Sequence, residues 1–206
     1  KKPLFNMNKY KFIISAFLFT FACHSLNAQS HGIIVGTTYG DFKTKIASMS
    51  DIKFNKQYSF NFLVGYGYNH SFNNRLELGS SLIYSQQKAV KTSGYGVVGD
   101  DPSVNNYNFK THYLALEEVI KYRITDHIKV GVGAAPTWHM KMTLWDDNEV
   151  SPIIDIPLLL QTEVETKYAD IRLSYKLGTF NLLKNSIIDS AHHSVISLSL
   201  FYGFVY

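Results

Sequence analysis

The triplet His192-His193-Ser194 puts an imidazole two positions before a hydroxyl. In an extended chain that spacing sets both groups on one face, and a hydroxyl beside a basic imidazole is the beginning of a nucleophilic pair. Such an imidazole needs a carboxylate to fix its tautomer and orientation. No glutamate follows Glu165, and the triplet lies in a polar stretch, so it reads as exposed loop and no catalytic group is assigned. His139, Lys141, Asp146, Asp147 and Glu149 include metal-binding side-chain types. Their spacing follows no recognised ligand pattern, and they too read as a solvated loop. There is no phosphate-cradling glycine loop and no catalytic cysteine arrangement, so no metal and no cofactor is expected.

A third group is larger. Glu77, Glu117, Lys121, Arg123, Lys129, Glu163, Glu165 and Arg172 all fall on one parity of alternating segments. Their chemistry depends on which face of those segments turns inward. The stretch "YSFNFLVGYGYNH", Tyr58 to His70, shows the problem: Tyr58, Phe60, Phe62, Val64, Tyr66 and Tyr68 alternate with small or polar residues. A period of two means a strand with two unlike faces. Similar rows recur at Ile33–Tyr39, Leu76–Tyr84, Leu114–Ile124 (with Glu118 breaking the row), Ile128–Trp138, Ile156–Val164, Ala169–Leu177 and Ile196–Tyr206. Short turns are expected at 72–75, 125–127 and 167–170, and long polar loops near 41–56, 91–106, 145–155 and 182–193. Pro152 and Pro157 each remove a ladder bond, so the sixth strand is expected to start irregularly.

The fold class read from this pattern is all-β: a closed antiparallel up-and-down transmembrane β-barrel of about eight strands. A barrel of that size has room inside for small side chains but not for a Tyr or Phe row from every strand. The other face offers Asn61, Gly65, Gly67, Gly79, Ser81, Gly131, Gly133, Ser174, Ser197, Ser199 and Gly203. A water-washed surface would carry many Lys and Glu instead. The small face is therefore the lumen, and the aromatic rows face lipid. The charged group then lies inside, where unpaired charges are costly. It is expected to form a salt-bridge network that plugs the barrel.

The front of the chain has another composition. Lys9 and Lys11 follow Met7, then "FIISAFLFTF" runs from Phe12 to Phe21 without a charge, and Asn27-Ala28-Gln29 offers a small residue for a cut. This is the layout of a secretory signal peptide over 1–28, with 1–6 an upstream extension, leaving 29–206 as the barrel domain. The apolar run is too short to span a bilayer as a helix. Cys23 raises a lipoprotein alternative, but Phe21 fits a lipobox badly. Four of the 20 basic residues precede the cut, leaving 16 against 16 acidic ones. A neutral mature chain gives nucleic-acid binding no electrostatic support.

Several segments resemble the PorT-like outer-membrane β-barrel family of Bacteroidota. "LIYSQQKA" (Leu82 to Ala89), "YLALEEVIKY" (Tyr113 to Tyr122), "IRLSYKLGTFNL" (Ile171 to Leu182) and the closing "VISLSLFYGFVY" resemble successive strands of that family, in order. Ala115 stands where the family often has Glu. The resemblance implies an outer-membrane barrel without fixing an activity. The expected partners are outer-membrane lipid, the barrel-assembly machinery, and a surface or secretion partner. The expected role is surface interaction or envelope structure through exposed loops. The alternatives are a narrow pore or a secretion accessory. "SLFY" (Ser199 to Tyr202) and the His-x-Ser spacing are also similar to lipid A deacylases, but the missing late Glu argues against an enzyme. Leu198, Leu200, Tyr202, Phe204 and Tyr206 form the alternating aromatic-ended strand that, in outer-membrane barrels, the assembly machinery reads. Cleavage is expected between Ala28 and Gln29. N-terminal analysis of the membrane-fraction protein checks it, and an acylated Cys23 would refute it.

Overall fold

The computed structural model describes residues 30–46, 53–94, 104–144, 148–150, 153–179 and 188–205. The leader with its cleavage site, Asp146, Asp147 and Tyr206 lie outside these residues. The strands are β1 (Ser30–Ile46), β2 (Lys53–Ser71), β3 (Leu76–Gly94), β4 (Val104–Arg123), β5 (Ile128–Ala134), β6 (Thr137–Leu144), β7 (Asn148–Val150), β8 (Ile153–Asp155), β9 (Leu158–Val164), β10 (Asp170–Leu177) and β11 (Ile188–Val205).

Every pairing is between antiparallel neighbours. The order β4-β3-β2-β1-β11-β10-β9-β5 returns to β4, so the sheet closes on itself. β5 and β6 both pair with β4 and form one interrupted stave; β8 and β9 form another. The result is a closed eight-stave barrel. The closing seam pairs Ile33 with Tyr202 and Tyr39 with Ile196. Gly36 is needed there: a Cβ would lie 2.6 Å from the Ser199 Cα across the seam. The termini of the described barrel and the short turns at 72–75, 124–127 and 165–169 share one end, and the long connections share the other.

Burial follows the parity read from the sequence. On β2, Phe60, Phe62, Val64 and Tyr66 are exposed, while Leu63, Gly67 and Asn69 are buried. On β9, exposed and covered residues alternate from Leu158 to Val164. The exposed face is a belt of Ile, Leu and Val bounded by aromatic groups. At the turn end Tyr66 and Tyr68 cluster with His31, and Tyr202 with Phe204. At the other end stand the pairs Tyr39–Phe60 and Phe62–Tyr84, and exposed Trp138. That is the outward layout of a transmembrane barrel.

Two expectations need correction. The inner face is not uniformly slim: Ile34, Leu63, Ile83, Tyr113 and Phe201 are buried inside it, forming an apolar cluster with Ala115. Glycines and serines on neighbouring staves leave the room they fill. The expected long loops are also shorter than their polar composition suggests, because β1 to β4 and β11 stay paired well beyond the apolar belt. There the sequence alternation ends while the backbone ladder continues.

Pro157 breaks its stave as expected, and Pro136, read as part of a continuous fifth strand, breaks the neighbouring one. Neither proline has an N–H to donate. The groups this frees find partners locally. Ala135 N–H donates to Pro157 O at 3.0 Å, and Leu116 N–H to Pro136 O at 2.9 Å. Thr137 Oγ1 donates to Ala135 O at 2.7 Å, Thr179 Oγ1 donates to Ile156 O at 2.9 Å, and Ile156 N–H donates to Asp155 Oδ1 at 2.8 Å. In a wall surrounded by hydrocarbon these bonds replace missing rungs. Thr137→Val keeps the shape and removes one donor. It is expected to cost about 1–3 kcal/mol, read as a lower unfolding midpoint in detergent, while Thr162→Val on the lipid-facing side of β9 leaves the midpoint unchanged.

Candidate functional site: a charged layer across the lumen

Cross-strand register assembles the charged layer. Glu77 on β3 stands opposite Lys121 on β4, Lys129 on β5 opposite Glu163 on β9, and Glu163 opposite Arg172 on β10. All point inward, so neighbours in register become ion pairs. Lys121 Nζ donates to Glu77 Oε1 at 2.9 Å, Glu163 Oε2 at 2.8 Å and Asn69 Oδ1 at 3.1 Å. Lys129 Nζ reaches Glu77, Glu163 at 3.3 Å and Glu165 at 2.7 Å. Arg172 Nε donates to Glu163 Oε2 at 2.7 Å, and its guanidinium lies 3.9 Å from the Phe201 ring centroid. Gly79 makes room for this layer, since a Cβ there would sit 2.7 Å from Lys121 Cε.

Glu163 is 0 %, Lys121 1 %, and Lys129 and Arg172 3 % exposed. Charges removed from water this completely are tolerable only because each has several partners of opposite sign or strong dipole. A side chain held by three bonds across a narrow lumen is also immobile. The layer therefore fills the turn-end half of the barrel with fixed charge. It presents no group poised to react. What it can do is block passage and tie five staves together.

Arg123 and Glu165 behave differently. They form a two-pronged pair at the mouth, and Arg123 Nη1 also donates to Asp126 O at 2.7 Å. Their side chains keep 30 % and 26 % exposure. Glu165 lies just beyond β9. Burial raises its carboxyl, but hydrogen bonds from Arg123 and Lys129 outweigh it and hold the group below its ordinary value. Their contribution to stability is thus present at neutral pH and fades as pH falls through that lowered value. Outside this pair an open vestibule is lined by Asn73, Asn74 and Arg75 of the first turn and reaches Glu77 and Lys129.

Glu117 does not join the layer. It pairs with Lys176, a fully buried cation that the parity argument omitted although it lies four positions after Arg172. Lys176 Nζ lies 5.6 Å from the Tyr113 ring centroid, in the half of the lumen away from the turns. His139 is also corrected. It is no loop residue but a buried inward side chain of β6, with Nδ1 3.1 Å from Thr111 Oγ1. His192, His193 and Ser194 lie in β11 rather than a loop, and Ser194 Oγ is 3.3 Å from the Tyr175 hydroxyl. Among the described residues no group of His, Cys, Asp and Glu is placed to hold a metal ion.

The exposure difference ranks the ion pairs. Arg172→Ala takes from the fully buried Glu163 carboxylate one of its three cationic partners and leaves a gap in the dry layer, and is expected to cost about 3 kcal/mol. Arg123→Ala, at the wet mouth, is expected to cost about 1 kcal/mol or less. Loss of heat resistance in detergent gels measures both. Equal effects would show that the layer is hydrated rather than dry.

No family model matches the chain, and no curated protein matches it by sequence. Solved structures do match. The crystal structure of Ail, the attachment invasion locus protein of Yersinia pestis, in complex with the heparin analogue sucrose octasulfate, gives a TM-score of 0.50 at 13% identity, covering 85% of this chain and 98% of that one. Neisserial surface protein A gives 0.53 at 12% identity, covering 86% and 98%. At such identities the likeness concerns the fold alone. Together with the closed ring and its lipid-facing belt, it identifies the chain as a small β-barrel of the outer membrane.

Proposed function

We propose that the chain is a plugged outer-membrane barrel that works through its outer rim, binding a polyanionic partner at the cell surface. The observation that carries this reading is the lysine distribution on the strand extensions beyond the belt. Lys43 and Lys45 lie on β1, Lys53 and Lys56 on β2, Lys88 and Lys91 on β3, and Lys110 on β4; the acidic residues at that end are Asp41 on β1, Glu149 on β7 and Asp189 on β11. The connecting segments add Asp51, Asp100, Asp101, Asp146 and Asp147, with Lys184, so the lysines stand out on β1 to β4 rather than around the whole rim. Register sets Lys56 opposite Lys91 and Lys88 opposite Lys110. Like charges directly opposite destabilise a sheet. A partner rich in sulfate or phosphate would relieve that repulsion. The outer ends of β1 to β4 thus form a basic sector of the rim.

Ail was solved with a heparin analogue, which makes heparin a reasonable probe for this rim. The charged layer supports a barrel that does not conduct. A narrow pore, or the secretion accessory that the PorT-like resemblance suggests, would require the layer to open. No enzymatic role is assigned.

The barrel reconstituted in uncharged liposomes is expected to bind heparin, more weakly as salt is raised. Replacing Lys56, Lys88, Lys91 and Lys110 by Gln is expected to lower affinity at least about tenfold, taking about 1 kcal/mol per lysine at an anionic surface as the upper scale. Binding that ignores salt and these lysines would refute the rim reading. Steady single-channel conductance in planar bilayers would refute the plugged barrel and favour the pore.

A further inference from the structure

The first short turn leaves a cation uncommitted. Arg75 stands between β2 and β3, exposed, and its guanidinium meets no carboxylate among the described residues. The luminal cations at this end are paired: Arg123 with Glu165, and Lys129 with Glu77, Glu163 and Glu165. Arg75 Nη1 instead donates to the Tyr122 hydroxyl at 3.3 Å. Tyr122 belongs to the outward row of β4 and is exposed, so the guanidinium is held on the lipid side of the wall.

The backbone beneath it is fixed. Asn73 Oδ1 accepts from the Arg75 and Leu76 N–H groups, each at 2.8 Å, and Arg75 O accepts from Arg123 N–H at 2.8 Å. An open groove of about 610 Å³ adjoins the guanidinium, lined by Asn73, Asn74, Arg75, Leu76 and Tyr122. Toward the middle of the wall the surface turns apolar. Register sets Leu76, Tyr122 and Val130 side by side on β3, β4 and β5, with Leu78, Ile120 and Val132 the next outward row. A polar head above an apolar track has the profile of a phospholipid. Tyrosines at strand ends mark the headgroup level, where a phosphodiester carries negative charge. A guanidinium offers that group two parallel N–H donors. A free anion would use the guanidinium and leave the apolar track unused.

We propose that Arg75, with Tyr122 and Asn74, is a headgroup site for a phospholipid. The phosphodiester sits on the guanidinium, and the acyl chains run along the outward rows of β3, β4 and β5. Short turns of such barrels face the periplasm, so the lipid belongs to the periplasmic leaflet. The site lies at the opposite end of the barrel from the basic sector of the rim and is independent of it.

The test uses the barrel in mild detergent, native mass spectrometry, and dioleoylphosphatidylglycerol as probe. The barrel is expected to retain this lipid, and Arg75→Gln to weaken binding about fivefold, the scale of one cation at a lipid surface. Lys167→Gln, at another turn of the same end, is expected to leave binding unchanged. Dioleoylglycerol, which lacks the phosphate, and glycerol 3-phosphate, which lacks the chains, are expected not to displace the lipid. Unchanged binding in Arg75→Gln would overturn the site. Displacement by glycerol 3-phosphate would show a free-anion site, and displacement by dioleoylglycerol an apolar track alone; either would overturn the phospholipid assignment. If Arg75→Gln loses the heat-modifiable migration of a folded barrel, the unaltered chain decides. Phosphatidylglycerol with a photoreactive headgroup is expected to crosslink to residues 73–76 or to Tyr122, and crosslinking only elsewhere would overturn the proposal.

Discussion

Inside a bilayer no water is available to satisfy a peptide group, and each one left open costs several kcal/mol. The rest of the barrel follows from that constraint. It forces the sheet to close, so β1 must meet β11, and it makes Gly36 against Ser199 a matter of fit at the seam. It also explains the proline-broken wall. Pro136 and Pro157 would leave a hole in the ladder, yet Thr137, Thr179 and Asp155 supply the lost hydrogen bonds from side chains. The interruption is tolerated because its polar groups remain paired.

Closure around eight staves then fixes what the interior can hold. The lumen is too narrow for water to solvate isolated charges freely, so the charges must solvate one another. Glu163 shows the arrangement: it has no exposure, yet it touches Lys121, Lys129 and Arg172. Arg172 in turn lies over Phe201, the large residue of β11 that turns inward. Apolar and ionic packing thus occupy the same cross-section. A charged layer built in this way comes from the wall itself, since its members belong to β3, β4, β5, β9 and β10, and loosening it means loosening the staves.

Much of this was legible in the sequence because a strand in lipid obeys a strict rule. Alternation identified the lipid-facing rows, and charges on the opposite parity had to meet inside. Seven of the eight residues so named do converge at the turn end. Glu117 does not, because parity gives the face but not the height, and its height matches Lys176 instead. His139 was misread for a related reason. A polar residue near the outer end of a strand looks like loop when only composition is weighed, whereas here Thr111 receives it within the barrel. Pro136 was hidden by a neighbour: the alternation of Val130, Val132 and Ala134 on to Trp138 continues across it, so the break shows only in the backbone.

The same parity rule gives its exceptions their meaning. Glu118 interrupts the outward row of β4, where Ser80 Oγ donates to it across the strand pair. The lysines of the outer extensions follow similar logic. In the belt they would be excluded and in the lumen they would need carboxylates, but at the outer end nothing in the fold requires lysines at opposite register positions of β2, β3 and β4. Where the fold leaves a choice, the residue present reports on what the barrel meets outside itself.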